Sequence, residues 1–196
     1  MKERSVITIL ADTCLIVSIL GFVFIGYPIA AVYLLPPKEL HRNDLQAKKG
    51  YFLYIPKIRA ASAIIMNVDP WDEAVYKEAL KRGVAQAAGT AAPGDNGTAF
   101  LFAHSSGAPW ELTHTNTLFL RLGELQKGDK IITTKNGKEM YFTVYDKREI
   151  WPSETKYLES SLINYENKNR KKEIILQTCT PIGTSMKRLL IFAQQS

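Results

Sequence analysis

Cys179 is the side chain in this sequence with the greatest chemical reach. It follows the apolar run Ile174-Ile175-Leu176 and precedes Thr180-Pro181-Ile182-Gly183, so it stands where a strand gives way to a loop, and loops at strand ends carry reactive groups more often than strand centres do. Acyl transfer by cysteine asks for a thiol that can become a thiolate, a nearby acid or base, and a donor for the developing oxyanion. Ordinary thiols, with pKa about 8.5, are only a few per cent ionised at neutral pH, and a lone buried cysteine is usually inert packing. The partners therefore decide. His41 lies in a polar connector and is the weakest candidate. His104 closes an apolar strand and is followed by Ser105-Ser106-Gly107, which opens it to the surface; His114 sits in the polar stretch Thr113-His114-Thr115-Asn116, the usual setting of a solvated histidine. Residue type alone leaves both open. Arg188 stands at the entrance to Leu189-Leu190-Ile191, where it would make either a surface ion pair or, in a site, a permanently charged fork of donors.

Other chemistries are excluded by composition. The second cysteine, Cys14, lies in an apolar stretch, and the pair offers neither a disulfide framework nor the spacing of a zinc site. No glycine-rich phosphate loop occurs, so no metal and no cofactor is expected. The Lys168-Asn169-Arg170-Lys171-Lys172 run has no interleaved aromatic residues for base stacking. It reads as a solvated loop, and no nucleic acid is expected as a partner.

The elements that must position these residues divide the chain unequally. Its 196 residues, 46% of them hydrophobic, suffice for one core with something appended and rule out intrinsic disorder. The mean hydropathy of −0.11 averages two unlike parts. Residues 13–35 carry no charge, and at ~1.5 Å per residue a helix of that length crosses a ~30 Å hydrocarbon core. They read as a membrane anchor after a short tail, residues 1–12; a cleaved signal peptide, the alternative, has a shorter apolar region of roughly 7 to 15 residues. Ile7 to Leu10 is apolar too, which leaves the start of the span open. Lys2 and Arg4 cancel Glu3 and Asp12, so the net charge of +6 belongs wholly to the remainder. Lys38, Arg42, Lys48 and Lys49 follow the span and by charge counting place the C-terminal part inside, although large domains translocate largely regardless of such charges.

Residues 36–50 read as a polar connector and 51–196 as an all-β domain. Tyr51 to Arg59 and Ala60 to Val68 are strand-like and split by Pro56; Trp71, Ala74, Val75, Ala79 and Leu80 recur at helical spacing; Pro93 to Gly97 is a turn into a strand at Thr98 to Ala103. Asn136-Gly137 between Lys130 to Thr134 and Lys138 to Tyr145 is a hairpin signal. Strands at Glu173 to Thr178 and Leu189 to Ala193 follow. Many short strands with one or two short helices predict a closed β-barrel.

Ordered motifs then carry a resemblance. Ile175-Leu176-Gln177-Thr178-Cys179-Thr180-Pro181-Ile182-Gly183, followed by Lys187-Arg188-Leu189-Leu190-Ile191, resembles the nucleophile segment of sortases, TLxTC followed by an arginine and apolar residues. Ile55-Pro56-Lys57-Ile58, Ala79 to Val84, Gly89 to Gly94 and Phe102-Ala103-His104-Ser105 are similar to the family's sequence leading to its histidine, and Leu118 to Asp129 and Trp151-Pro152-Ser153-Glu154 to its middle portion. The likeness covers Tyr51 to Phe192. Two departures stand out. Ile175 replaces the first Thr, and Asp69-Pro70-Trp71, similar to the lid motif of pilin-polymerising sortases, follows the first strand-like segment instead of preceding the domain. It is read here as a strand-to-helix turn.

The resemblance implies a sortase-type barrel and a cysteine transpeptidase. Cys179 attacks a peptide carbonyl in an LPxTG-like sorting signal and forms a thioester, His104 serves as general acid and then base, and Arg188 holds substrate or oxyanion. Thr178, Thr180 and Ser105 line the groove. It also implies surface proteins bearing sorting signals as substrates, an amine from the cell wall or a protein subunit as acceptor, and a domain on the outer side of the membrane. Two rivals are an L,D-transpeptidase-like wall enzyme, whose glycine-rich nucleophile segment is missing, and a non-enzymatic membrane-tethered barrel that binds ligands.

Overall fold

A computed structural model of the chain describes residues 6–34, 49–105, 117–164, 171–182 and 184–196. Two compact units divide it, residues 1–38 and residues 39–196. The first contains helix α1, Val6–Leu34, a 29-residue helix whose Val6–Phe24 portion has a mean hydropathy of 2.4. It therefore takes in Ile7 to Leu10 and Asp12, which the charge-free stretch leaves out. The hydroxyls of Thr13 and Ser18 donate to the carbonyls of Ile9 and Cys14, each at 2.8 Å, which ties both polar groups to the helix backbone. An apolar helix of this kind suits a membrane anchor or a signal segment equally.

The second unit is the expected closed barrel. Its strands are β1 (Tyr51–Ile55), β2 (Ala60–Val68), β3 (Val84–Ala87), β4 (Gly97–Phe102), β5 (Lys130–Lys135), β6 (Lys138–Ile150), β7 (Lys172–Thr180) and β8 (Lys187–Gln195), in the order β1-β2-β3-β4-β7-β8-β6-β5, with β5 closing on β1. Pro56 begins a 3-10 turn that separates β1 from β2. At the hairpin both central residues have positive φ, Asn136 at 50° and Gly137 at 84°, the conformation that a two-residue turn between twisted strands requires.

Helix α2, Glu73–Leu80, is the crossover between the parallel strands β2 and β3. Asp72 caps it, its carboxylate accepting from the N–H groups of Ala74 and Val75, and Asp69 accepts from Trp71 N–H at 2.9 Å. Asp69-Pro70-Trp71 is thus the turn between β2 and α2. The sequence leaves three features unanticipated. Strand β3 is four buried residues, too short and alanine-rich to show a period. Strand β6 continues to Ile150 because β8 pairs with it as far as Ile150↔Arg188, even though Asp146, Lys147, Arg148 and Glu149 face solvent in mid-strand. Helix α3, Lys156–Asn164, is the second short helix.

Alternation divides the side chains of β4, β7 and β8 between two faces. Ala99, Leu101, Ile174, Leu176, Leu189 and Ile191 point into the barrel with Leu53, Phe119, Leu122 and Phe142. Phe100, Ile175, Leu190 and Phe192 point outward and are covered by Tyr157 and Leu158 of α3. Arg148 fastens that cover, its guanidinium donating to the Tyr157 hydroxyl at 3.1 Å and lying 5.6 Å from the Phe192 ring.

Candidate active site

The outer face of β4, β7, β8 and β6 is built in rows set by register. One row is Phe100, Ile175, Phe192 and Asp146; the next is Phe102, Gln177, Leu190 and Arg148. The row after that holds Cys179, Arg188 and Ile150. On the β4 side its place belongs to His104. Strands β4 and β7 are parallel with a constant offset of 75, seen in Phe102↔Gln177, and the same offset carried past the end of β4 sets His104 abreast of Cys179. Since Ile175 and Phe100 point outward, the residues two and four positions on, Gln177, Cys179, Phe102 and His104, share that outward sense.

Three backbone ties fix the end of β4 beside the cysteine. Ala103 N–H donates to the Gln177 carbonyl at 3.1 Å, the Thr178 hydroxyl donates to the Ala103 carbonyl at 2.9 Å, and Phe119 N–H donates to the His104 carbonyl at 3.2 Å. His104 leaves the sheet held from both sides. Phe119 itself is fully buried in the barrel, so a core residue anchors the backbone of the candidate base.

Burial separates the two ends of this face. Ile175 and Phe100 are buried under α3, whereas Phe102, Gln177, Cys179, His104 and Arg188 are all half-buried. The open strip begins where the helical cover stops. Cys179 belongs to β7 itself, one residue from its end, because β8 pairing runs on to Thr180↔Lys187. Its neighbour Arg188 uses one guanidinium nitrogen, Nη1, to donate to the Ser185 carbonyl at 3.0 Å and the Lys187 carbonyl at 3.3 Å. Nε and Nη2 have no partner among the described residues, leaving a charged donor edge beside the thiol.

The remaining expected site residues are placed differently. Thr178 does not line the groove; it is 4% exposed, on the inward face, and its hydroxyl serves Ala103. The cause is parity, since any residue next to Cys179 in a strand must face the other way. Ser105 is buried as well, at 3%, while Thr180 is half-buried at the strand end. His41, His114 and residues 168–170 of the basic run lie outside the described residues. Among the described residues no group of His, Cys, Asp and Glu could hold a metal ion.

Past the end of β6, Trp151 is 55% exposed, with Lys187 Nζ 5.4 Å from its ring centroid and 3.4 Å from Glu149. Glu154 accepts the Trp151 N–H at 2.9 Å, and this bond, aided by Lys156, holds the Glu154 carboxyl below its ordinary range. At the far end of the outer face, burial and then the adjacent Glu173 carboxylate push the Tyr145 phenol up, so it stays a hydroxyl donor to Glu173. Gln177 and Phe102 were not singled out from sequence. Spacing of two from Cys179 and from His104 is the signal that finds them.

Comparison with known proteins agrees with this architecture. The Sortase domain family matches residues 53–196. Sortase D of Bacillus subtilis is 30% identical over 146 residues, 73% of this chain; the chain spans 62% of that relative's length. Sortase C-1 from Actinomyces oris superposes with a TM-score of 0.59 at 24% identity, covering 74% of this chain and 72% of the other. Sortase A from Corynebacterium diphtheriae gives 0.58 at 23% identity, covering 87% and 80%. With a family match over most of its length, on the closed barrel its motifs predict, this chain belongs to the sortase family.

Proposed function

We propose that this protein is a membrane-anchored cysteine transpeptidase acting on LPxTG-like sorting signals, with Cys179 as nucleophile, His104 as proton carrier and Arg188 as donor to substrate backbone or oxyanion. The observation that carries this reading is the open row of His104, Cys179 and Arg188 on the outer face. The Cys179 sulfur gives its proton to His104 and attacks the scissile carbonyl, most often that of a Thr-Gly bond. As the tetrahedral intermediate collapses, the C–N bond breaks, His104 protonates the leaving amine and a thioester remains. The incoming amine then attacks the thioester carbonyl and gives a proton to His104. Cleavage of the C–S bond, with that proton passing from His104 to the sulfur, restores the thiol. Water in place of the amine gives hydrolysis.

Arg188 suits charge stabilisation because its free donor edge lies beside the thiol, where an oxyanion would develop. Residues 13–35 serve as the membrane anchor, the barrel works on the extracellular side, and the acceptor amine comes from the cell wall or from a protein subunit. The family assignment and the length of α1 support this placement.

The test mixes the purified protein with sorting-signal peptides and an amine nucleophile, following ligated product and acyl-enzyme by mass. The expected result is an acyl adduct on Cys179 and its loss in Cys179→Ala. Full turnover in Cys179→Ala, or normal turnover in His104→Ala, would overturn the assignment.

A further inference from the structure

Sheet pairing stops short of the group that holds Arg188. The last pair of β7 and β8 is Thr180↔Lys187, so Ser185, whose carbonyl accepts from Arg188 Nη1 at 3.0 Å, lies in the connection outside the sheet. Packing does not fix it either, because Pro181, Ile182, Thr184, Ser185 and Met186 are all exposed. What shapes the connection is hydrogen bonding through Thr184. Its N–H and its hydroxyl both donate to the Pro181 carbonyl, at 3.0 and 2.9 Å, and its Oγ1 accepts the Met186 N–H at 3.5 Å. A hydroxyl can donate and accept at once, and here it does so to groups on either side of Ser185. Threonine in a turn supplies local side-chain bonds of this kind where the ladder has ended.

We propose that Thr184 is a positioning residue for Arg188, its hydroxyl setting the Ser185 carbonyl that holds Nη1 and so fixing the guanidinium donor edge beside Cys179. This rests on the transpeptidase reading above. The chain of contacts is short: Thr184 Oγ1 ties Pro181 to Met186, Ser185 lies between them, and its carbonyl takes the guanidinium. Nη1 also donates to the Lys187 carbonyl at 3.3 Å, but Lys187 belongs to β8 and is held by the sheet. Ser185 is therefore the adjustable end of the anchor, and Thr184 is the side chain that fixes it.

Thr184 is exposed, so its variants should keep the wild-type denaturation midpoint, and peptide turnover carries the test. Thr184→Val keeps the branched shape and removes the hydroxyl; kcat/KM on a sorting-signal peptide is expected to fall about tenfold. Thr184→Ser restores the hydroxyl and should stay within about twofold of wild type. The Thr184→Val change is then repeated in Arg188→Lys, where no fork remains to be aimed, and there it should cost less than about twofold. Equal losses in both backgrounds, an unimpaired Thr184→Val, or a Thr184→Ser as impaired as Thr184→Val overturns the inference while leaving the transpeptidase intact. No turnover by wild type on any peptide overturns the transpeptidase reading instead.

Discussion

Cys179 and Arg188 are direct cross-strand partners on β7 and β8, the last pair but one before the strands part. Directly opposite side chains on one face of an antiparallel pair have Cβ atoms about 4.5–5.5 Å apart, so the register roots both side chains side by side on the same face. Its anchoring through Nη1 to the Ser185 and Lys187 carbonyls leaves the other donors on the open side.

Replacing Arg188 by Lys keeps the charge and loses the fork. Turnover of a sorting-signal peptide should fall about a hundredfold, the scale of a lost oxyanion donor, with the fold unchanged by circular dichroism. Unaltered kinetics would reduce Arg188 to a sheet residue.

Thr178 acts behind the site. Thr178→Val keeps the shape, removes the bond to the Ala103 carbonyl and leaves that acceptor buried, at a cost of about 1–3 kcal/mol in denaturant unfolding. Because Ala103 sets the backbone of His104, kcat should drop about tenfold with KM little changed. Loss of stability with normal kcat would mark the bond as purely structural.

Glu154 gives the turn after β6 a pH dependence. Its carboxyl is held low in the folded protein by the Trp151 N–H and by Lys156, so its stabilising effect is complete above the ordinary carboxylate value of 4.5. That effect is lost as the pH falls through the lower folded value. Trp151 fluorescence should therefore change on acidification below about pH 4.5 in the wild type, and the step should vanish in Glu154→Gln. A step of equal size in the variant would refute the coupling.

Gly83 connects α2 to β3 where a Cβ would meet the Ala63 carbonyl oxygen at 2.4 Å and the Ser62 hydroxyl oxygen at 2.7 Å. Gly83→Ala should destabilise the barrel by about 1–3 kcal/mol, read as a lower denaturation midpoint at constant slope. Wild-type stability would show that β2 yields there without cost.

Much of this protein is legible in the chain itself, because local physics writes local patterns. Asn136-Gly137 announces its hairpin, since few other pairs accept two positive φ values. Ala74, Val75, Ala79 and Leu80 announce α2 by their helical spacing, and the uncharged stretch ending at Leu35 announces a long helix. The motif around Cys179 and Arg188 names a family and offers both residues as partners. What the chain could not settle alone was long-range register. The offset of 75 between β4 and β7 is a product of barrel closure and sets His104 against Cys179 across a gap no local pattern spans. Parity within a strand becomes inside or outside only when a core exists to face. That decision turned Thr178 inward to hold Ala103 and left Gln177 on the outer face, although the two are neighbours in sequence.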